Sequence, residues 1–380
     1  MAATALTLLS CHKLNLDVAP GLNSVATISG YLRTNFDFSL FYAAVQKADM
    51  EDSLDRSDLN YTVMAPTNSA FNKQGIFSAT DFDRFPADSL KTLIRNHLLP
   101  SRLFYSDISQ GTDNLYKNLN GLQIYISKYP QGPIPLTVNG VIIQPTGTVS
   151  TAAARTYGST QLNGVVYPLV SVLKMTKGTV QDMLASRPDL SRLVAGLKKY
   201  GLWDRLSGKG PFTVVAPQDT AFDAAGITAG FVDGINTTLY DPVLFGVYFI
   251  SPDHIFCTDI VQLDQANLIA PTNSFHAYPT ISDTLDLVLG INYRGGMPSM
   301  SATVGKASDA ANVILTAVGP TAHAFPDLNG GFFLGEPPGG PFYYIDANTP
   351  PVGTYIDFSC SNGVVHLFSQ ALLLPSDVKK

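Results

Sequence analysis

Thr62-Val63-Met64-Ala65-Pro66-Thr67-Asn68-Ser69-Ala70-Phe71 returns in altered form as Thr213-Val214-Val215-Ala216-Pro217-Gln218-Asp219-Thr220-Ala221-Phe222. Three more matches follow the same order. Asp37 to Leu54 recurs at Asp189 to Leu206, Phe104-Tyr105-Ser106-Asp107-Ile108 at Phe256-Cys257-Thr258-Asp259-Ile260, and Asn163-Gly164-Val165-Val166 at Asn362-Gly363-Val364-Val365. Ordered self-similarity of this kind marks a diverged repeat. The offset is 151 residues at the first motif (Thr62 to Thr213), 152 at Asp107 to Asp259 and 199 at Asn163 to Asn362. The second copy therefore carries about 47 extra residues, placed within about 261–355 and mostly between Ile291 and Thr354.

Local patterns give each copy helices first and strands later, which is the order of an α+β fold. Phe38, Phe41, Tyr42, Val45 and Ala48 recur at helical spacing, as do Leu190, Leu193, Val194, Leu197 and Leu202. A short strand follows at Tyr61 to Ala65 and at Phe212 to Ala216, and Pro66 or Pro217 ends it because proline has no N–H for a ladder. Thr67 or Gln218 opens a turn, and Asn68 or Asp219 is placed to cap the next short helix. Ser89 to Leu99 reads as a helix stopped by Pro100, with strands at Leu122 to Ile126, Leu136 to Gln144 and Val165 to Leu173.

These motifs resemble the fasciclin (FAS1) family, whose signatures have the form TVxAPTNxAF and NGVVHxxxxVL. The chain reads TVMAPTNSAF with NGVVYPLVSVL, then TVVAPQDTAF with NGVVHLFSQAL, and LKTLIRNHLLPSRLFYSDI resembles the family's central segment. The resemblance covers roughly residues 30 to 375. It implies two tandem domains, each a β-sandwich-like sheet wedge with helices packed on one side. The expected layout is a leader and linker over 1–29, a first domain over 30–176 and a second over 177–376. It also implies adhesion, matrix or surface assembly, or carbohydrate or protein binding, in a family that is not generally catalytic.

Composition narrows the function classes. Of 380 residues, 45% are apolar and only 14% charged, so hydroxyls and amides supply much of the surface polarity. The net charge of −6 without a basic run argues against a nucleic-acid groove. Only Glu51 and Glu336 are glutamates, so a Glu–Glu acid/base pair would need both. The six histidines are His12, His97, His254, His276, His323 and His366, and no two stand four apart. With no H-E-x-x-H, C-x-x-C, G-x-S-x-G or G-x-x-x-x-G-K-S/T motif, no metal, cofactor or catalytic residue is expected.

Leu8-Leu9-Ser10-Cys11 closes a short apolar stretch and resembles the lipobox of bacterial lipoproteins, in which the cysteine carries the lipid. No Lys or Arg precedes that stretch, as a secretory signal normally requires, so a plain N-terminal tail is the alternative. Lipidation at Cys11 would make the chain a cell-surface protein, such as an outer-membrane lipoprotein, touching membrane only through that anchor. Cys257 and Cys360 then remain, either as a disulfide or as two separate buried thiols.

Candidate binding residues fall in three places. His97 lies near a position that the resemblance links to receptor binding as part of a Tyr-His pair; here it follows Asn96, and Tyr248-Phe249 stands in the second copy. Asp357-Phe358 matches an Asp-Ile pair of the same implied role, where the first copy has Gly158-Ser159. Each has a structural alternative: His97 as a half-buried helix residue, Asp357 as a turn former. His366 and its counterpart Tyr167 read as structural. The third place is the extra segment of the second copy, where Phe332, Phe333, Tyr343 and Tyr344 lie among glycines and prolines. Such aromatic faces either stack on a sugar or a partner, or fold back to cover a sheet edge. The expected partner is an extracellular glycan, a matrix polymer or a surface protein. An accessory component of a surface nutrient-uptake system and a polysaccharide-active enzyme are the alternatives.

Overall fold

The computed structural model describes residues 25–130, 134–146, 155–176, 178–250, 253–259, 273–280, 285–294, 297–305, 318–323, 357–368 and 370–380. Its first half runs α1 (Ile28–Thr34), α2 (Ser39–Lys47), α3 (Glu51–Asp55), β1 (Tyr61–Pro66), α4 (Asn68–Asn72), α5 (Ala87–Asn96), β2 (Leu98–Leu99), β3 (Gly111–Lys117), β4 (Gln123–Lys128), β5 (Leu136–Val138), β6 (Val141–Ile142), β7 (Ser159–Gln161) and β8 (Gly164–Leu169). The second half runs α6 (Val180–Ala185), α7 (Ser191–Lys199), β9 (Phe212–Pro217), α8 (Asp219–Ala224), α9 (Ala229–Gly234), α10 (Val243–Gly246), β10 (Phe249–Ile250), β11 (Asn273–Pro279), β12 (Asp286–Arg294), β13 (Met297–Gly305), β14 (Val318–His323), β15 (Phe358–Cys360) and β16 (Gly363–Phe368). Helices and sheets segregate, as an α+β fold requires.

The two quoted motifs meet as parallel strands. In the first half the sheet order is β2-β1-β8-β7, and β1 pairs with β8 from Tyr61 opposite Gly164 to Pro66 opposite Leu169. The second half repeats it as β10-β9-β16-β15, with Phe212 opposite Gly363 and Pro217 opposite Phe368. Each half also has an antiparallel meander, β3-β4-β5-β6 and β11-β12-β13-β14, whose strands pair in chain order. The 47-residue excess falls partly on longer strands in the second meander, β12 and β13 having nine residues each. The Gly- and Pro-rich stretch with Phe332, Phe333, Tyr343 and Tyr344 lies outside the described residues.

Alternation along the central strands builds three layers in the first half. Val63, Ala65 and Val166 face the helices and join Phe41, Phe71, Leu93 and Ile94. Met64, Val165 and Tyr167 face the other way and join Ile124, Ile126, Leu136 and Val138 of the meander. On α5, Leu90, Leu93 and Ile94 lie on one stripe and are all buried, each worth about 1.5–3 kcal/mol of transfer free energy.

The shared Asn-Gly pair explains why the motifs are read so strictly. Asn163 Oδ1 accepts from Ile28 N at 2.8 Å, while Nδ2 donates to Leu54 O and Arg56 O. Asn362 Oδ1 accepts from Val180 N at 2.7 Å, while Nδ2 donates to Leu206 O and Gly208 O. Each asparagine thus ties a first helix to the loop before the central strand. The next residue must be glycine because a Cβ at Gly164 would stand 1.9 Å from Tyr61 O, and one at Gly363 2.3 Å from Phe212 O.

Several expectations are corrected in detail. Thr67, rather than Asn68, caps α4, accepting from Ala70 N. Asn68 reaches back instead to Leu40 N at 2.9 Å and Ser39 Oγ at the start of α2, and Asp219 does the same to Arg192 N and Ser191 Oγ. The expected helix from Phe38 to Leu54 is divided into α2 and α3, because Asp49 takes a left-handed φ of 53° between them. The first unit begins before residue 30, since α1 starts at Ile28 and its N–H is held by Asn163. The second runs past residue 376, with Val378 in its core. The linker belongs to both: Leu173 is buried in the first core, while Lys174 O accepts from Ser359 N and Thr176 N donates to Ser359 O along β15.

Candidate functional site

His97 ends α5 and is wholly buried, not half-buried. Leu173 N donates to its Nε2 at 3.0 Å, which leaves Nδ1 to donate to Leu93 O at 2.9 Å. Desolvation pushes its pKa down to about 4, so the ring is neutral at pH 7. Its counterpart is Tyr248, not Phe249: Met64 N bonds to His97 O and Val215 N to Tyr248 O. The Tyr248 hydroxyl accepts from Leu372 N at 2.9 Å, matching the bond from Leu173 to His97. The two residues lock the chain leaving each parallel pair, and a ring sealed in the core presents nothing to a partner.

Asp357 and Phe358 also lie inside, at 4% and 8% exposure. Asp357 takes a left-handed φ of 59°, and its Oδ1 accepts from Cys257 N at 2.9 Å. Its own N–H donates to His366 Nδ1 at 3.2 Å, so His366 Nε2 donates to Ile255 O at 2.9 Å. Burial pushes the Asp357 carboxyl up to about 7, against the pull of Lys174. Phe358 lies between two cations, with Lys174 Nζ 5.3 Å and Arg187 Cζ 5.9 Å from its ring centroid. Arg187 in turn makes a two-pronged pair with Asp189. Phe332, Phe333, Tyr343, Tyr344 and Cys11 lie outside the described residues. Cys257 and Cys360 are both free, buried thiols, and burial raises the pKa of each.

What surrounds Asp357 is the seam between the halves. Gly140, in the turn between β5 and β6, packs so close that an added Cβ would lie 2.5 Å from Asp357 Oδ2. Beside it, Thr258 Oγ1 donates to Gly140 O at 3.4 Å, and Ser127 Oγ on β4 donates to Asp259 Oδ1 at 3.2 Å. Asp259 Oδ2 accepts from Phe256 N at 2.7 Å. The His254 ring lies tilted against Tyr125, with centroids 4.1 Å apart, and meets Phe256 edge-on at 4.6 Å, with Nδ1 3.5 Å from Asp113 Oδ2. Ile134 and Ile142 of the first half pack into the second core. The repeat motif Phe256 to Ile260 and the candidate Asp357 fall here, but no spacing pointed to a seam, because it joins them to single residues of β3, β4 and the β5–β6 turn. Among the described residues no group of three or more His, Cys, Asp or Glu side chains is placed to hold a metal ion.

On the outer surface, Phe36 is 83% and Phe77 66% exposed. Phe36 stands between Asn35 and Asp37 and Phe77 precedes Ser78, so no apolar periodicity marks either.

The profile of the Fasciclin domain matches residues 36–175. Residues 36–175 are a fasciclin domain. Human periostin is 26% identical over 172 residues, 43% of this chain and 18% of periostin. The transforming growth factor-beta-induced protein ig-h3 of Sus scrofa is 28% identical over 188 residues, 49% of this chain and 25% of the relative. The chain thus spans a quarter or less of the length of these curated relatives. A solved FAS1 domain pair from the insect cell adhesion molecule Fasciclin I aligns over 90% of this chain and 99% of its own, with 16% identity and a TM-score of 0.34. The fasciclin domain holds His97, Asn163 and Tyr167, and all three spend their polar atoms on backbone of the first half. Among the described residues no helix is long and apolar enough to cross a membrane.

Proposed function

We propose that the chain is a binding or adhesion protein acting outside the cell, built from the fasciclin domain at 36–175 and a second fasciclin-like unit of the same sheet topology. The match to the fasciclin family over 36–175 carries this reading. The partner is a glycan, a matrix polymer or a surface protein. Because His97, Asp357 and Phe358 are committed to internal contacts, contact falls to side chains on the outside. Phe36 and Phe77 offer large apolar faces to solvent, and Phe332, Phe333, Tyr343 and Tyr344 are the aromatic set of the second unit. Aromatic anchors of this kind carry much of the energy of protein and sugar recognition. Attachment to a membrane through lipid on Cys11 completes the proposal; in the native host, Cys11→Ser should release the protein from the membrane fraction.

The purified chain should be screened against a glycan array and immobilised matrix proteins. Phe36→Ala and Phe77→Ala, and separately the fourfold alanine variant at Phe332, Phe333, Tyr343 and Tyr344, should identify the contact surface. A surface aromatic should lose about 1–3 kcal/mol of binding on truncation with melting unchanged. No binding to either panel by the intact chain would overturn the proposal.

A further inference from the structure

Two carboxyls are buried where the halves touch. Asp259 is 2% and Asp357 4% exposed, and each is contacted by the opposite half, through Ser127 and Gly140 respectively. Asp113 adds a third acid from the first half: a register shift between Gly111 and Asn114 leaves it in a bulge with φ 55°, and its N–H donates to Ser127 Oγ at 3.0 Å. Ser127 therefore joins Asp113 of one half to Asp259 of the other. Like charges brought together in a site that excludes water oppose ionisation, and each carboxyl is freed from that constraint once the halves part.

We propose that this seam is a proton-controlled clasp, closed while Asp259 and Asp357 carry protons and released as they ionise. The geometry accommodates protonated acids. Ser127 Oγ, which donates to Asp259 Oδ1 when the carboxyl is ionised, can turn to accept from a protonated Asp259 while its other lone pair accepts from Asp113 N, and Oδ2 still accepts from Phe256 N. The groups facing the two acids come from every packed element: Asp113 from β3, Tyr125 and Ser127 from β4, Gly140 from the β5–β6 turn, Lys174 from the linker, His254 and Cys257 from 253–259, and His366 from β16. Lys174 is the cation acting on Asp357, with burial lowering its own pKa to about 8. His254 Nδ1 lies 3.5 Å from Asp113 Oδ2 across the seam. Burial and the Asp113 charge raise the Asp259 pKa well above its ordinary value, and burial holds Asp357 at about 7. The sign follows by linkage: the closed form binds more protons than the open one, so closure is strongest in acid and weakens as pH rises through these raised values.

The test is small-angle X-ray scattering of the full chain from pH 5.5 to 9, with far-ultraviolet circular dichroism recorded alongside. The radius of gyration should increase across this range while secondary structure holds. The double variant Asp259→Asn/Asp357→Asn, which keeps shape and removes the charge, should stay compact throughout. Asp113→Asn should move the increase to higher pH. Gly140→Ala, which drives a methyl into Asp357, should be extended even at pH 5.5. A wild-type radius that is constant across the range, or an increase that persists unchanged in the double variant, overturns the clasp.

Discussion

Tyr167 and His366 stand at the same point of the two parallel strand pairs and reach for the equivalent carbonyl. The Tyr167 hydroxyl donates to Leu103 O at 2.9 Å and the His366 imidazole to Ile255 O at 2.9 Å, in matching loops. Across the sheet the assignment is reversed, with His97 in the first half and Tyr248 in the second. At these two positions each half thus has one phenol and one neutral imidazole, exchanged between them. Tyr248→Phe should strand Leu372 N and Tyr167→Phe should strand Leu103 O. Each should lower stability by about 1–3 kcal/mol in urea titrations.

Both buried histidines make the fold sensitive to acid. Their folded pKa values are lowered to about 4 by burial, whereas an unfolded imidazole titrates near 6.5. The unfolded chain therefore binds more protons between these values. Stability is fully present above about pH 6.5 and is lost as pH falls towards 4, by about 3 kcal/mol for each histidine. Urea midpoints measured between pH 7 and 4 should fall, and His97→Gln/His366→Gln should flatten the slope.

The glycine of each Asn-Gly pair is required by the opposing backbone. Gly164→Ala and Gly363→Ala should force the parallel strands apart and cost at least about 3 kcal/mol, beyond ordinary overpacking because a carbonyl cannot turn aside as a side chain can. Thermal melts check this. Gly230→Ala is the control: it meets nothing within 4 Å, and should stay within about 0.5 kcal/mol of the parent.

Asn163→Asp and Asn362→Asp keep the acceptor for the helix N–H but lose both amide donors. Two carbonyls are then left facing a carboxylate, so each variant should be destabilised by about 3 kcal/mol or more at pH 7. If protonation relieves the repulsion, the gap to the parent should narrow in acid, which chemical denaturation at pH 5 and 7 would reveal.

Local chemistry was legible in the sequence where a residue acts on its neighbours. Val63, Met64 and Ala65 alternate as a strand should, and the repeated Asn-Gly announced that the two motifs serve one purpose. It failed where a side chain acts at a distance. Asn68 reads as a cap for the helix it begins, yet its amide crosses to α2, and no spacing rule predicts that. His97 follows Asn96 at the end of a periodic stretch, and periodicity does not say that Leu173 of the linker will bond to its ring and Phe41 pack on it. The seam acids are scattered over 113, 259 and 357, each an ordinary turn aspartate until the halves meet.

The linker sets how far the clasp can open. Leu173 is fixed in one core and Val180 in the other, so the seven steps between them reach at most about 25 Å when fully extended. Parted halves stay at an effective concentration of order millimolar, and re-closure is an intramolecular event that dilution cannot slow. Such a joint responds to its surroundings without ever dissociating. It also lets a single chain offer two spacings of its outer surfaces, one in acid and a wider one in alkali.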